Sequence, residues 1–140
     1  MATKLHEALV DDVIASTPGA ERYKFSRAVA NLVGGVDVLR EEGAWPTHVV
    51  PDAFVIEGKT VTAYEIEVHS NMSDVKLVCY ADLWCALDVL GFELKLVRVS
   101  STGHRVEFDI GEHDERLREA HRTWVRDVFL PYCERMKAAS

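Results

Sequence analysis

Two acidic stretches carry the chemistry this chain suggests: Pro51-Asp52, and further along Glu65-Ile66-Glu67. On an extended strand, residues two apart point to one face, so Glu65 and Glu67 project together while Ile66 and Val68 turn toward the core. If the hairpin between the two stretches is short and bulged, Asp52 on the neighbouring strand reaches the same place. Three carboxylates packed together resist simultaneous ionisation unless a cation sits among them. A ligand set made only of oxygens suits Mg²⁺ or Mn²⁺ rather than Zn²⁺. The plainer reading makes Asp52 a turn or edge-strand residue after Pro51, and Glu65 and Glu67 the solvated face of an amphipathic strand. Against it, a sheet flanked by many apolar helices has little face to leave in water.

Such a sheet is what the hydrophobic periodicity predicts. A first helix, over about residues 3–16, stripes Leu5, Leu9 and Val13 with Val10 and Ile14, and Thr17-Pro18-Gly19 ends it. A second, over about residues 20–42, stripes Phe25, Val29, Leu32, Val36 and Leu39, interrupted at Gly34-Gly35. After Trp45-Pro46 the period becomes strand-like. Residues 48–56 and 60–69 are rich in β-branched and aromatic side chains, and Gly58-Lys59 suits a hairpin turn. The segment 71–90 opens on the capping candidate Ser73 and is apolar almost all round, from Val75 to Leu90, so it is expected to be buried on more than one side. Gly91 stops it. Strands are predicted at 93–100 and 105–110, and a last helix at 112–130, which Pro131 should kink or end.

The expected order is therefore α, α, β, β, α, β, β, α. The helix between the second and third strands is long enough to cross over, giving an α/β fold with a central mixed sheet of about four strands flanked by helices. At 140 residues the chain reads as one domain, 1–140, with a helical N-terminal part (1–45) and a C-terminal helix (112–140).

The three cysteines, Cys79, Cys85 and Cys133, lack CxxC spacing and sit in apolar or amphipathic stretches, which predicts buried thiols in a reducing compartment. No signal-peptide pattern or membrane-length apolar run is found, so the expected location is cytoplasmic, with no membrane partner. A formal charge of −7 argues against charge-driven coating of nucleic acid, because that mode neutralises many phosphates with Lys and Arg. A local basic strip can still track a phosphate backbone.

Pro51-Asp52, the acid Glu65 with Ile66 after it, and the helix and strand that follow resemble the PD-(D/E)xK nuclease superfamily over about residues 47–110. That family places Pro-Asp near the start of one strand and acid-x-Lys on the next. The resemblance implies a restriction-endonuclease-like core of αβββαβ type, and metal held by Asp52 and Glu65 with the main-chain carbonyl of Ile66. The chain departs from the pattern at Glu67, where the family usually has Lys, although an ExE form occurs in some restriction endonucleases. Glu67 is then a further ligand or the general base for the attacking water. The missing cation is supplied by Lys76 on the following helix or by a second metal ion.

His69 continues the face of Glu65 and Glu67, either touching substrate or sitting at the rim. Arg98 is a candidate phosphate contact, as are Arg105, Arg116, Arg118, Arg122, Arg126, Lys4, Lys24 and Arg27, although most of these interleave with acids as on a solvated helix. His104, His113 and His121 lack zinc-ligand spacing and read as surface residues. Glu7 or Glu21 is a candidate to join the site from the early helices. Trp84 and Trp124 read as core or dimer contacts, and the helix from Val75 as a candidate subunit interface. The expectation is a Mg²⁺- or Mn²⁺-dependent endonuclease acting on DNA as a homodimer. The alternative is a non-catalytic nucleic-acid- or protein-binding module that keeps the fold, and a third is a scaffold or assembly subunit.

Overall fold

Thr3 starts the first helix, α1 (Lys4–Ser16), because its Oγ1 accepts the His6 amide at 3.1 Å and satisfies a donor that the helix itself leaves unpaired. The computed structural model describes residues 3–33, 49–68, 72–108, 110, 119, 122–123 and 125–139. Val10 and Val13 form the buried stripe of α1. The next helix, α2 (Phe25–Leu32), is short and follows Lys24 in the left-handed conformation at φ 66°. It buries Phe25, Val29 and Ala30 and sets Phe25 edge-on against Phe54, with ring centroids 5.1 Å apart. The expected helix over 20–42 is thus present only from Phe25, because Glu21 is drawn into the sheet. Its backbone exchanges both hydrogen bonds with Phe54 at 2.8 Å. Gly34 and Gly35 lie outside the described residues.

Strands β1 (Ala53–Glu57) and β2 (Thr60–Glu67) form an antiparallel hairpin closed by Glu57 and Thr60. Gly58, with φ +59°, fills the first central position of the two-residue turn. Gly58→Ala forces an L side chain into that conformation. It is expected to cost about 1–2 kcal/mol, read as a lower urea midpoint with an unchanged slope.

Ser73 caps the crossover helix α3 (Asp74–Val89), accepting the Lys76 amide at 3.2 Å. The chain returns as β3 (Glu93–Ser100), parallel to β2, and then as β4 (Arg105–Phe108), antiparallel to β3. The sheet order is β1-β2-β3-β4, a four-stranded mixed sheet in an α/β fold. Alternation along the strands divides the core in two. Val61, Ala63 and Leu96 pack with Tyr80, Leu83 and Leu87 of α3, while Val55, Tyr64, Ile66 and Val99 pack with Val10 and Val13 of α1. Both sheet faces are therefore covered.

Two expectations need correction and a third holds in part. The strand expected at 48–56 begins at Ala53, because Pro51 has no N–H for a ladder and the Asp52 side chain takes part instead of a regular pairing, as described below. The helix expected to be buried on more than one side is so in its second half, where Tyr80, Ala81, Leu83, Cys85, Ala86 and Leu87 are all buried, while its start is open, with Val75 76% exposed. Pro131, expected to kink or end the last helix, does not end it. A π-helical turn (Val125–Phe129) runs directly into α4 (Leu130–Ala139), and the proline falls in the first turn of α4, where a missing N–H is best tolerated. No helix among the described residues is long and apolar enough to cross a membrane.

Candidate active site

The sheet sets the acids side by side. In the β1–β2 register Ala53 pairs with Tyr64, so Asp52 stands one step beyond the last pair, across from Glu65. Here the ladder becomes irregular. The Asp52 amide donates to the Tyr64 carbonyl at 3.0 Å, and the Ile66 amide donates to Asp52 Oδ2 at 2.8 Å. The other oxygen, Oδ1, lies 3.2 Å from His6 Nε2, which reaches across from α1. His6 Nδ1 is buried and has no hydrogen-bond partner among the described residues.

Glu65 is the buried acid, with 5% of its surface exposed. Lys76 Nζ lies 2.7 Å from its Oε1 and 2.8 Å from its Oε2, and the Tyr80 hydroxyl donates to Oε1 at 2.6 Å. Lys76 and Tyr80 are four residues apart, one turn of α3, so a single helix face delivers both donors. Burial pushes the Glu65 carboxyl above its ordinary value of 4.5, against the pull of Lys76 and Tyr80, and the nearby Asp52 charge adds to the rise. The Tyr80 hydroxyl is raised well above its ordinary range, chiefly by burial and then by Glu65. A buried carboxylate with a perturbed pKa, one cation and a second carboxylate across the hairpin is the kind of arrangement found at reactive sites.

Glu67 shares the face of Glu65 but is turned to other partners. Its Oε1 accepts from Arg98 Nε, and its Oε2 accepts from the Met72 amide at 2.7 Å and from Arg98 Nη2 at 3.3 Å. Arg98 pairs in register with Glu65 on the neighbouring strand, so its side chain leans along the sheet to reach Glu67, while its guanidinium lies 5.6 Å over the Phe108 ring. The expected substrate contact Arg98 is therefore engaged within the protein. His69 lies outside the described residues. Glu7 is directed to Arg22, at 2.6 Å and 2.7 Å, a contact that holds its carboxyl below the usual range, and Glu21 contributes through its backbone. His6 thus approaches Asp52 from α1, where an acid was expected.

These contacts bear directly on metal binding. Asp52 Oδ2 and every oxygen of Glu65 and Glu67 already meet a nitrogen or hydroxyl donor, Asp52 Oδ1 lies 3.2 Å from His6 Nε2, and no three His, Cys, Asp or Glu side chains converge as a metal-holding group among the described residues. The three-carboxylate convergence expected from the strand pair is not formed, because Arg98 and the Met72 amide hold Glu67 aside. Asp52 and Glu65 remain as a pair whose charges act on one another. Their oxygen-only chemistry fits a hard divalent cation, and the Glu65 carboxylate already holds a cation, the Lys76 ammonium, on both of its oxygens. Sequence reasoning missed His6 and Tyr80. The chain matches no family model, no curated protein and no solved structure in comparisons with each.

Proposed function

We propose that the protein is a metal-dependent nuclease hydrolysing phosphodiester bonds in DNA on a restriction-endonuclease-like core, with Asp52 and Glu65 holding Mg²⁺ or Mn²⁺. The reading is carried by Glu65, a buried carboxylate kept beside Lys76 and across a hairpin from Asp52. Desolvating an acid in this way is costly, and a stability role alone is served better by apolar packing. The order of an antiparallel strand pair, a crossover helix and a parallel third strand agrees with the family pattern that Pro51-Asp52 and Glu65 resemble.

Asp52 and Glu65 would hold the divalent ion, which when bound would supply Lewis-acid chemistry toward the phosphodiester and make water a better nucleophile. The rest falls to the chain's own residues. The Ile66 amide and His6 fix the two Asp52 oxygens, and Tyr80 fixes the direction of Glu65 Oε1. Lys76 is the cation nearest the pair, its side chain 31% exposed, and it serves a phosphate by exchanging its hold on Glu65 for one on the substrate. Since the chain as a whole is acidic, binding relies on a few such local charges and should have a shallow salt dependence, because few phosphates are neutralised.

One observation favours the second reading, a binding module that keeps the fold without the chemistry. Lys76 and Arg98 each pair with one of the three acids and His6 contacts the third, so each acid already has a partner within the protein. Melting curves with and without Mn²⁺ separate the two. A metal that binds only the folded state adds about 2.7 kcal/mol at a hundredfold excess over Kd, which raises Tm by several degrees in a chain of this size. The nuclease reading expects that rise, its loss in Asp52→Asn and Glu65→Gln, and nicking of plasmid DNA lost in the same variants. DNA binding with neither a Tm shift nor cleavage would establish the module instead.

A further inference from the structure

Strand β4 ends the sheet, and no further strand pairs with it among the described residues. Its turn fixes which way its backbone points. The Ser100 amide donates to the His104 carbonyl at 2.9 Å while the His104 amide donates to Ser100 Oγ at 3.2 Å, so Ser100 and His104 stand at a hydrogen-bonded position of the ladder. Such pairs alternate along an antiparallel ladder, which makes Arg98 with Val106 and Leu96 with Phe108 the next ones. The N–H and C=O groups of Arg105 and Glu107 consequently point away from β3. Arg105, Val106 and Glu107 are exposed, with Val106 at 51%.

An open edge is a template for another strand, and charged residues on it usually serve to discourage pairing. Here their order does the opposite for one partner. Two copies of β4 can meet through their outward backbone groups, with a twofold axis at Arg105, Val106 or Glu107. An axis at Arg105 or at Glu107 sets that residue against its own copy, like charge on like charge. An axis at Val106 sets Arg105 opposite Glu107 of the second copy twice over, and packs Val106 against Val106 of the second copy in the closer, non-hydrogen-bonded position. His104 then faces Phe108 of the second copy. Arg105 rests on the α1 side of the sheet, its guanidinium 2.7 Å from Ser16 Oγ, 3.7 Å from Asp12 Oδ2 and 5.8 Å from the Tyr64 ring centroid, so pairing with Glu107 of the second copy turns it from these exposed contacts toward the edge.

We propose that β4 is the contact through which two copies of this chain join, edge to edge about Val106, into one continuous sheet. The inference is independent of the metal site.

Sedimentation of the full chain across micromolar concentrations tests it. The wild type sediments at twice the 15.7 kDa chain mass. Glu107→Arg replaces both attractive cross-strand pairs by repulsive ones and weakens association about tenfold or more, and Arg105→Glu does the same. An equimolar mixture of these two variants recovers the dimer, because each then supplies the charge the other lacks. Arg105→Glu also removes the tie to α1, so amide exchange of the wild type gives a second measurement: the Arg105 and Glu107 amides slow with rising concentration while the Val106 amide does not change. A wild type that stays monomeric overturns the proposal. So does a dimer indifferent to Glu107→Arg, or one whose Arg105 and Glu107 amides exchange at a rate independent of concentration.

Discussion

Lys76→Met is expected to destabilise the protein by about 2 kcal/mol at neutral pH and to remove cleavage, while Glu65→Gln/Lys76→Met regains most of the stability and none of the cleavage. The argument starts from Glu65, whose carboxylate is buried between Lys76 and Tyr80. Removing one partner of a fully buried pair costs about 3–5 kcal/mol. Lys76 keeps 31% of its side chain in water and Tyr80 still donates to Glu65, so the loss is smaller here. Its pH dependence identifies the cause. Burial already lifts the folded-state pKa of Glu65 above 4.5, and losing Lys76 lifts it further. An acid whose pKa is raised on folding leaves the protein most stable below its unfolded value. It withdraws that stability as pH climbs through the folded-state pKa. The deficit of Lys76→Met should therefore be small in acid and grow toward neutrality, and Glu65→Gln should flatten that slope in either background. Urea denaturation over a pH series reads both. Equal losses in the single and double variants at neutral pH would show that Glu65 carries no such burden.

The parts of this fold visible in the residues are those governed by local rules. Alternating Glu93–Ser100 is a strand with the predicted bounds, and Ser73 caps α3 as its position implies. The pairing of Glu65 and Glu67 on one face follows from a period of two. What was hidden depends on register between distant segments. His6 is an isolated histidine on an amphipathic helix, and its approach to Asp52 exists only once α1 is packed on Ile66 and Val99. The partnership of Arg98 and Glu67 needs the parallel register of β2 and β3, which no periodicity encodes. Tyr80 lay closer to view, since it follows Lys76 by one helical turn, yet a tyrosine in an apolar helix reads first as core. The π-helical turn before Pro131 leaves no trace in the hydrophobic pattern at all. The placement of two acids on adjacent strands was thus legible in outline, while the donors that hold them were not.

Those donors lead to the second large effect. Glu67→Lys, which installs the residue the nuclease pattern usually has at that place, should weaken the fold by about 2 kcal/mol and add no activity. An ammonium at position 67 meets the Arg98 guanidinium that now binds the carboxylate, and like charges in a partly buried setting repel. The Met72 amide, just ahead of α3, loses its acceptor as well, so the entry to the helix that carries Lys76 and Tyr80 is loosened. Glu67→Lys/Arg98→Glu reverses the pair and should recover the charge part of the loss but not the Met72 contact. Glu67→Gln keeps an acceptor for Met72 and should be the mildest of the three. Thermal melts of the four proteins in chelator order them without reference to activity. If Glu67→Lys proves as stable as the wild type, Arg98 is not committed to Glu67 and remains available to a phosphate. If the order holds, Arg98 is committed to Glu67, and the proposed cleavage would draw its cation from Lys76, already on Glu65.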